Sequence, residues 1–305
     1  MGKREGVFAL LLAGFIWAGT GLSYKLFLSV GFTFILLLLI TRFFKLLSVL
    51  GIAYAKKVKH IPLNDFKELK FLFLNAVSSV ATPVFFILAL SYSSLSNVYF
   101  LQYTMPVWVF ILAAFFLKEK INFKKILAVF MTILGIVFIS RPENLFSINL
   151  GIVFGILSAL SFSADIILSR ELKDYHYHTV SIYTNTFQVI ILTLLALFIF
   201  PQSLFASSSL PLIVFLAVAL IGIFLGIASD LYYFALEKID ASTAGIVTLC
   251  ELFFASAFAF LFLGEIPVFF EIIGYGFILF SAIIMLLRKS DIEHFGHLLH
   301  LRKTH

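Results

Sequence analysis

Runs of about 18 to 25 apolar residues recur along this chain, each long enough as a helix to cross a hydrocarbon layer roughly 30 Å thick. About ten can be read: Gly6–Tyr24, Gly31–Tyr54, Phe71–Leu90, Asn97–Leu117, Ile126–Ile139, Gly151–Ser169, Val180–Phe200, Leu212–Leu236, Thr243–Leu263 and Phe269–Leu287. The fifth is short unless it begins near Phe123. With 62% hydrophobic residues, 12% charged and a mean hydropathy of +1.09, a water-facing surface could not be covered, so the bilayer is the solvent. Strict apolar/polar alternation is absent, which excludes a β-barrel reading. The expected class is an all-α polytopic membrane protein.

The chain also repeats itself. Ala89 falls on Ala235 and Glu119 on Glu265, an offset of 146 with no gap, and the polar turn between carries Ser96 in one copy and Ser242 in the other. At an offset of 145, Gly6 meets Gly151, Trp17 meets Phe162, Thr20 meets Asp165 and Lys25 meets Arg170. The expected organisation is a first five-helix repeat over 1–145, a second over 146–290, and a cytoplasmic tail over 291–305.

Cation placement orients the halves. Threading the helices from a cytoplasmic N-terminus leaves only Lys25 and Arg141, of 22 Lys and Arg, toward the outer ends. Lys56, Lys57, Lys59, Lys67 and Lys70 crowd one inner loop, and Lys118, Lys120, Lys124 and Lys125 another, whereas the Ser207–Ser209 loop has none. Both termini are expected in the cytoplasm. The net charge of +6 then reports topology and attraction to anionic lipid, not nucleic acid. Five crossings per half is an odd number, so ten transmembrane helices form a five-plus-five inverted repeat. The first run follows Lys3 and Arg4 as a signal peptide would, but it exceeds a signal core in length and has its own repeat counterpart, so it is expected to stay. The single cysteine, Cys250, has no internal disulfide partner.

Several motifs resemble those of the EamA-type drug/metabolite transporters. Trp17-Ala-Gly-Thr-Gly-Leu-Ser-Tyr-Lys25 is similar to that family's first-helix signature, Thr41-Arg42-Phe43 to its second-helix Arg-Phe, and Met105-Pro106-Val107 to its Ser-Pro-Val. Leu117-Lys118-Glu119 and Leu263-Gly264-Glu265 resemble its Leu-Gly-Glu helix endings, and Cys250-Glu251-Leu252 sits where the family has Glu-Pro. Leu252 in place of that proline puts a ninth-helix kink in doubt, and Lys118 replaces a Gly. The resemblance implies ten helices, cytoplasmic termini and movement of small organic solutes, often outward, across the plasma membrane of a bacterium or archaeon. Its substrates include amino acids, nucleosides, other metabolites and drugs.

Polar groups at membrane depth carry the candidate chemistry, because a charge near the bilayer centre costs about 2.5 to 3.5 kcal/mol unless it faces a cavity or a partner. Glu251 stands mid-way along the ninth apolar run and shares a face with Thr248. Asp165 shares one with Ser158, Ser161 and Phe162, and Asp230 one with Gly226 and Tyr233. Arg42 reads as the one cation well inside a crossing, so Arg42, Glu251, Asp165 and Asp230 are candidates for ion pairing or coupling. Gln102, which matches Thr248 in the repeat, lies with Tyr99, Tyr103 and Pro106; Trp17, Thr20 and Tyr24 form a face on the first helix, and Asn185 and Gln188 are three apart on the seventh. Aromatic walls with a few hydrogen-bonding groups suit a small organic solute better than an ion, although such groups also glue membrane helices together. The expected substrate contacts are Trp17, Thr20, Tyr99, Gln102, Tyr103, Asp165, Gln188, Tyr233, Thr248 and Glu251. The first, third, fourth, sixth, eighth and ninth helices are expected around the cavity.

No Gly-x-x-x-x-Gly-Lys-Ser/Thr loop is present, so ATP hydrolysis is not expected. All seven His are read as loop or tail residues, including His294, His297 and His300 at helical spacing, which argues against a haem, iron or zinc enzyme and for no cofactor. The His60–Lys70 loop reads as solvated. A secondary transporter explains the repeat and the dispersed polar faces. A membrane-embedded enzyme lacks a tight catalytic cluster, and a receptor or scaffold would carry longer loops. The expected partners are a small organic solute and the lipid bilayer, with monomer and homodimer both open.

Overall fold

The computed structural model describes residues 2–58, 66–93, 95–140, 150–204, 211–264 and 266–286. Glu265, Arg141, His60, Ser207–Ser209 and the tail with His294, His297 and His300 lie outside the described residues. The elements are α1 (Gly2–Ser29), α2 (Phe34–Ala55), α3 (Phe66–Leu90), α4 (Leu95–Tyr103), α5 (Met105–Phe116), α6 (Phe123–Ser140), α7 (Leu150–Glu171), α8 (Tyr177–Phe198), α9 (Leu212–Lys238), α10 (Ala241–Thr248), α11 (Cys250–Phe258) and α12 (Phe269–Leu286). Among the described residues eight helices are long and apolar enough to cross a membrane, counting α4 with α5 and α10 with α11 as one each. The remaining two, α6 and α12, have 18 residues each, about 27 Å of helix. Large apolar side chains such as Phe8, Phe115, Phe198, Ile213 and Phe262 face outward, as a bilayer solvent requires.

One end of the bundle is basic and heavily cross-linked. Lys3 and Lys124 both donate to the Met285 carbonyl, Arg170 Nη1 donates to the Leu236 and Glu237 carbonyls, Tyr175 donates to Glu68, and Lys56 to Tyr177. These contacts gather the start of α1, α3, α6 and α8 and the close of α2, α7, α9 and α12 at a single end. There Glu119, just beyond α5, caps α10. The Ala241 N–H donates to Oε1 at 2.7 Å and the Ser242 hydroxyl to Oε2 at 2.6 Å, a carboxylate at the positive end of a helix. Lys125 reaches Glu119 at 2.7 Å and Asp240 at 2.9 Å. Burial alone would raise the Asp240 carboxyl, but hydrogen bonds from Thr243 and Lys125 and the charges of Lys125 and Lys3 outweigh it and hold it below its ordinary value.

Two rods are broken, within one residue of matching points. At Thr104 the backbone tightens, with Thr104 N–H donating to Leu101 O at 3.1 Å and Val107 N–H to Thr104 O at 2.9 Å. At Leu249 the same pair of bonds recurs, Leu249 to Ile246 at 3.1 Å and Leu252 to Leu249 at 3.0 Å. Pro106 accompanies the first break. The second forms without a proline, which resolves the doubt raised by Leu252. There the Thr248 hydroxyl bonds back to the Ala244 carbonyl at 2.9 Å, a contact that competes with the helix ladder and bends it.

Packing follows a reciprocal scheme. α1 lies along α9 and α7 along α3; α2 packs on α8 and α6 on α12. The α2–α9 crossing is close because α9 offers Gly222 and Gly226 there. A Cβ on Gly226 would fall 2.4 Å from Ser48 Cβ, and one on Gly222 2.7 Å from the Thr41 carbonyl, the small-residue contact that lets membrane helices approach.

Candidate functional site

That crossing brings the polar face of α2 to the middle of the bundle, beside a cavity of about 290 Å³. Its walls come from α1 (Trp17, Thr20, Gly21, Tyr24), α2 (Arg42, Lys45), α3 (Ser79, Thr82, Pro83), α7 (Phe162, Asp165), α9 (Leu225, Ser229, Tyr232, Tyr233) and α11 (Glu251). The second helix therefore takes the place expected for the fourth, because the glycines of α9 draw it inward. Toward the basic end, Val7, Leu10, Leu236, Ile239, Ala241 and Ala244 are buried in one apolar cluster.

Charge in the cavity is held by neutral groups. Asp165 Oδ1 accepts from the Asn75 amide at 2.8 Å and Oδ2 from the Tyr232 hydroxyl at 2.9 Å, while the Tyr233 hydroxyl donates to Asn75 Oδ1 at 3.1 Å. Asn75 also reaches Ser169 Oγ at 2.8 Å. Lys45 is buried, with its Nζ 3.5 Å from Gln188 Oε1, and Gln188 Nε2 donates to Ser79 at 3.1 Å. Arg42 and Glu251 make no ion pair with any carboxylate or cation among the described residues. Glu251 sits in the first turn of α11, directly after the break, where the helix dipole favours a carboxylate. Gly14 of α1 passes against it, a Cβ there lying 3.7 Å from Glu251 Cβ. Trp17 meets Tyr232 edge to face at 5.5 Å, and Tyr24 shares a 2.8 Å hydroxyl contact with Thr41. The result is an aromatic chamber lined by two basic and two acidic side chains that form no ion pair with one another among the described residues.

Of the residues read from sequence, Trp17, Thr20, Arg42, Asp165, Tyr233 and Glu251 line this cavity. Gln188 stands one layer behind, supporting Lys45 and Ser79. Gln102 faces α7 and accepts from Ser158; Tyr99 and Tyr103 stack on each other at 5.5 Å and are not among the lining residues. Thr248 is spent on its back-bond. Asp230 lies 2.9 Å from His178 Nδ1 and borders a second cavity of about 260 Å³ with Lys56 and Tyr177.

Two readings need correction. Arg42 is not the one cation within a crossing, because Lys45 lies one turn along the same face of α2; the three-residue spacing was the available signal. His178 is no loop residue but the second residue of α8, 1% exposed. Sequence reasoning also passed over Asn75, Ser79, Ser229 and Tyr232. Asn75, Ser79 and Thr82 fall at i, i+4 and i+7 on one face of α3, and Ser229 and Tyr232 are three apart on α9, so helical spacing was the available signal here too.

Comparison with known proteins follows the same lines. The model of the EamA-like transporter family matches twice in tandem, over residues 4–141 and 149–287. A protein of Clostridium kluyveri described as an uncharacterized transporter is 28% identical over 237 residues, which is 75% of this chain and 75% of that protein. A crystal structure superposes with a TM-score of 0.75 at 15% identity, covering 93% of this chain and 96% of the other, a likeness of fold.

Proposed function

This chain belongs to the EamA-like transporter family, and from that premise we propose that it is a secondary transporter moving a small organic solute by alternating access through the central cavity. The observation that carries the reading is the chamber itself. Arg42 and Lys45 on one wall and Asp165 and Glu251 on others, without ion pairs between them among the described residues, fit a solute that brings charge of both signs on an aromatic or apolar body. Amino acids and similar amphoteric metabolites have that chemistry. The expected direction is export.

An inverted repeat of five plus five crossings underlies the mechanism. It is supported by the tandem family match, by the two breaks with the same hydrogen bonds, and by packing in which α1 on α9 mirrors α7 on α3. With the basic end in the cytoplasm, as cation placement argues, the buried apolar cluster of Val7, Leu10, Leu236 and Ile239 on that side supports an outward-facing reading of the chamber. Exchanging the conformations of the two halves would close it outward and open it inward, with the solute held at the interface throughout. The membrane is then the plasma membrane of a bacterium or archaeon.

The test is a thermal-shift screen of the purified full chain against amino acids, nucleosides and cationic drugs, followed by flux of each hit in proteoliposomes. A ligand that binds only the folded form raises the melting temperature. Hits that are transported, and that lose their shift in Lys45→Met, support the reading; stabilising compounds that never cross the bilayer would replace it with a receptor. Orientation is checked by labelling Ser208→Cys in a Cys250→Ala background. Labelling from the cytoplasmic side alone would reverse the topology.

A further inference from the structure

His178 and Asp230 form a buried acid–base pair that the chamber does not use. His178 is 1% exposed and Asp230 6%. Nδ1 and Oδ2 are 2.9 Å apart, yet they are not aligned as a hydrogen bond, and both ring nitrogens and both carboxylate oxygens lack an aligned partner among the described residues. Buried polar groups are ordinarily saturated, and a cluster left open marks a place where something is bound or exchanged. Asn185 Oδ1, two turns along α8, likewise lacks an aligned partner among the described residues.

The position of the pair is the second observation. Asp230 borders the cavity at the basic end with Lys56 and Tyr177, while its neighbour Ser229 borders the central chamber. Hydroxyls bridge the two. Ser181, one turn beyond His178, lies beside Asp230 and 3.4 Å from Ser229 Oγ, and Asn185 Nδ2 donates to Ser229 at 3.0 Å. A titratable pair thus stands at a short polar step between the two cavities.

We infer that the His178–Asp230 pair is a proton-binding site that exchanges protons between the central chamber and the basic-end cavity, and that its occupancy biases which way the chamber opens. A proton arriving from water in the chamber binds a free imidazole nitrogen, turning a neutral ring beside a carboxylate into an imidazolium–carboxylate pair. The same proton leaves to water at the basic end, restoring the neutral ring, and no other reactant is consumed. The groups around the pair are Lys45 on α2 and Lys56 at its end, Tyr233 on α9, Ser181 on α8, and His176 and Tyr177 beside it; from α3, Glu68 is engaged by Tyr175. The two lysines oppose the added charge and Asp230 favours it, so the site is poised to release as well as to bind. The readout is built in, because Asp230 and Tyr232 share α9 and Tyr232 touches Trp17.

The inference rests on the transport reading for its consequence, but its test needs no transported solute. The full chain, labelled with ¹⁵N-histidine in nanodiscs, gives seven imidazole signals, and the one missing in His178→Gln is assigned. It should change protonation within about pH 5 to 8, with a midpoint lowered by roughly one unit or more in Asp230→Asn. In a Trp108→Phe background Trp17 is the sole tryptophan. Its emission should shift over that same range, lose the shift in His178→Gln, and keep it in His176→Gln. If His178→Gln does not fold, Asp230→Asn must displace the Trp17 midpoint by the same amount as the imidazole midpoint. A His178 that keeps one protonation state from about pH 4 to 9, or a Trp17 response unchanged in His178→Gln, overturns the inference. Failure of every solute to be transported would leave these titrations as they stand and would count against the transport reading alone.

Discussion

Two groups of charges lie within about one helix length of each other and are treated in opposite ways. At the basic end, Lys3, Glu119, Lys125 and Asp240 form a chain of ion pairs, and Glu119 also caps α10. In the chamber, Arg42, Lys45, Asp165 and Glu251 are each held by neutral donors or acceptors, by a helix terminus, or by no partner among the described residues. Charges that close on one another clamp helices, and removing one strands the rest. Charges kept apart in a cavity at some cost in stability are available to a solute. The difference separates what holds this conformation from what the conformation is for.

The comparison can be broken first at the clamp. Glu119→Ala leaves Lys125 with Asp240 as its one carboxylate and the first N–H groups of α10 uncapped, and should lower stability by about 2 kcal/mol, read as a fall in melting temperature in detergent. A change within experimental scatter would mean that the clamp is decoration. In the chamber, Lys45→Met removes a buried cation whose contact is a 3.5 Å approach to Gln188. Its melting temperature should hold or rise, while flux of an identified solute falls tenfold or more, equivalent to about 1.4 kcal/mol. A loss of stability as large as that of Glu119→Ala would place Lys45 with the clamp.

Glu251→Gln sharpens the contrast further. The amide fills the same volume, and no cation pairs with the carboxylate among the described residues, so stability should stay within about 1 kcal/mol of the parent. Transport should fall several-fold or lose its pH dependence. Equal stability with equal transport would remove Glu251 from the mechanism. The smallest effect lies with Asp240. Its folded carboxyl is held low, so the stability it contributes is complete above the unfolded pKa and is lost as pH falls through the folded one. Asp240→Asn should therefore flatten the acid limb of the melting curve below about pH 4, by less than about 1 kcal/mol for a partly exposed group. An acid limb unchanged by the substitution would mean that other carboxylates set it.

Much of this architecture was readable without coordinates. Apolar runs of membrane length and the duplicated stretch ending at Glu119 and Glu265 follow from composition and register, which are local in sequence. Trp17, Thr20, Asp165 and Glu251 were found because a polar group in a long apolar run is costly wherever it points. Asn75 and Tyr232 were missed because an amide and a phenol are unremarkable in a membrane helix until one sees that both converge on Asp165. Gln102 and Thr248 were read as cavity residues from shared helix faces and repeat matching, and the structure engages one in an interhelical contact and the other with its own backbone.

What the sequence determined by itself is the solvent, the helices and their duplication, since each is a matter of hydropathy and period along one chain. Which polar residues meet was decided in three dimensions. The close crossing at Gly222 and Gly226 pulls α2 inward and puts Arg42 and Lys45 into the chamber, and the register of α8 on α9 sets His178 against Asp230. Hydropathy records that a helix must be buried; only packing, through contacts a few ångströms long between residues far apart in the chain, selects which face is buried and against what.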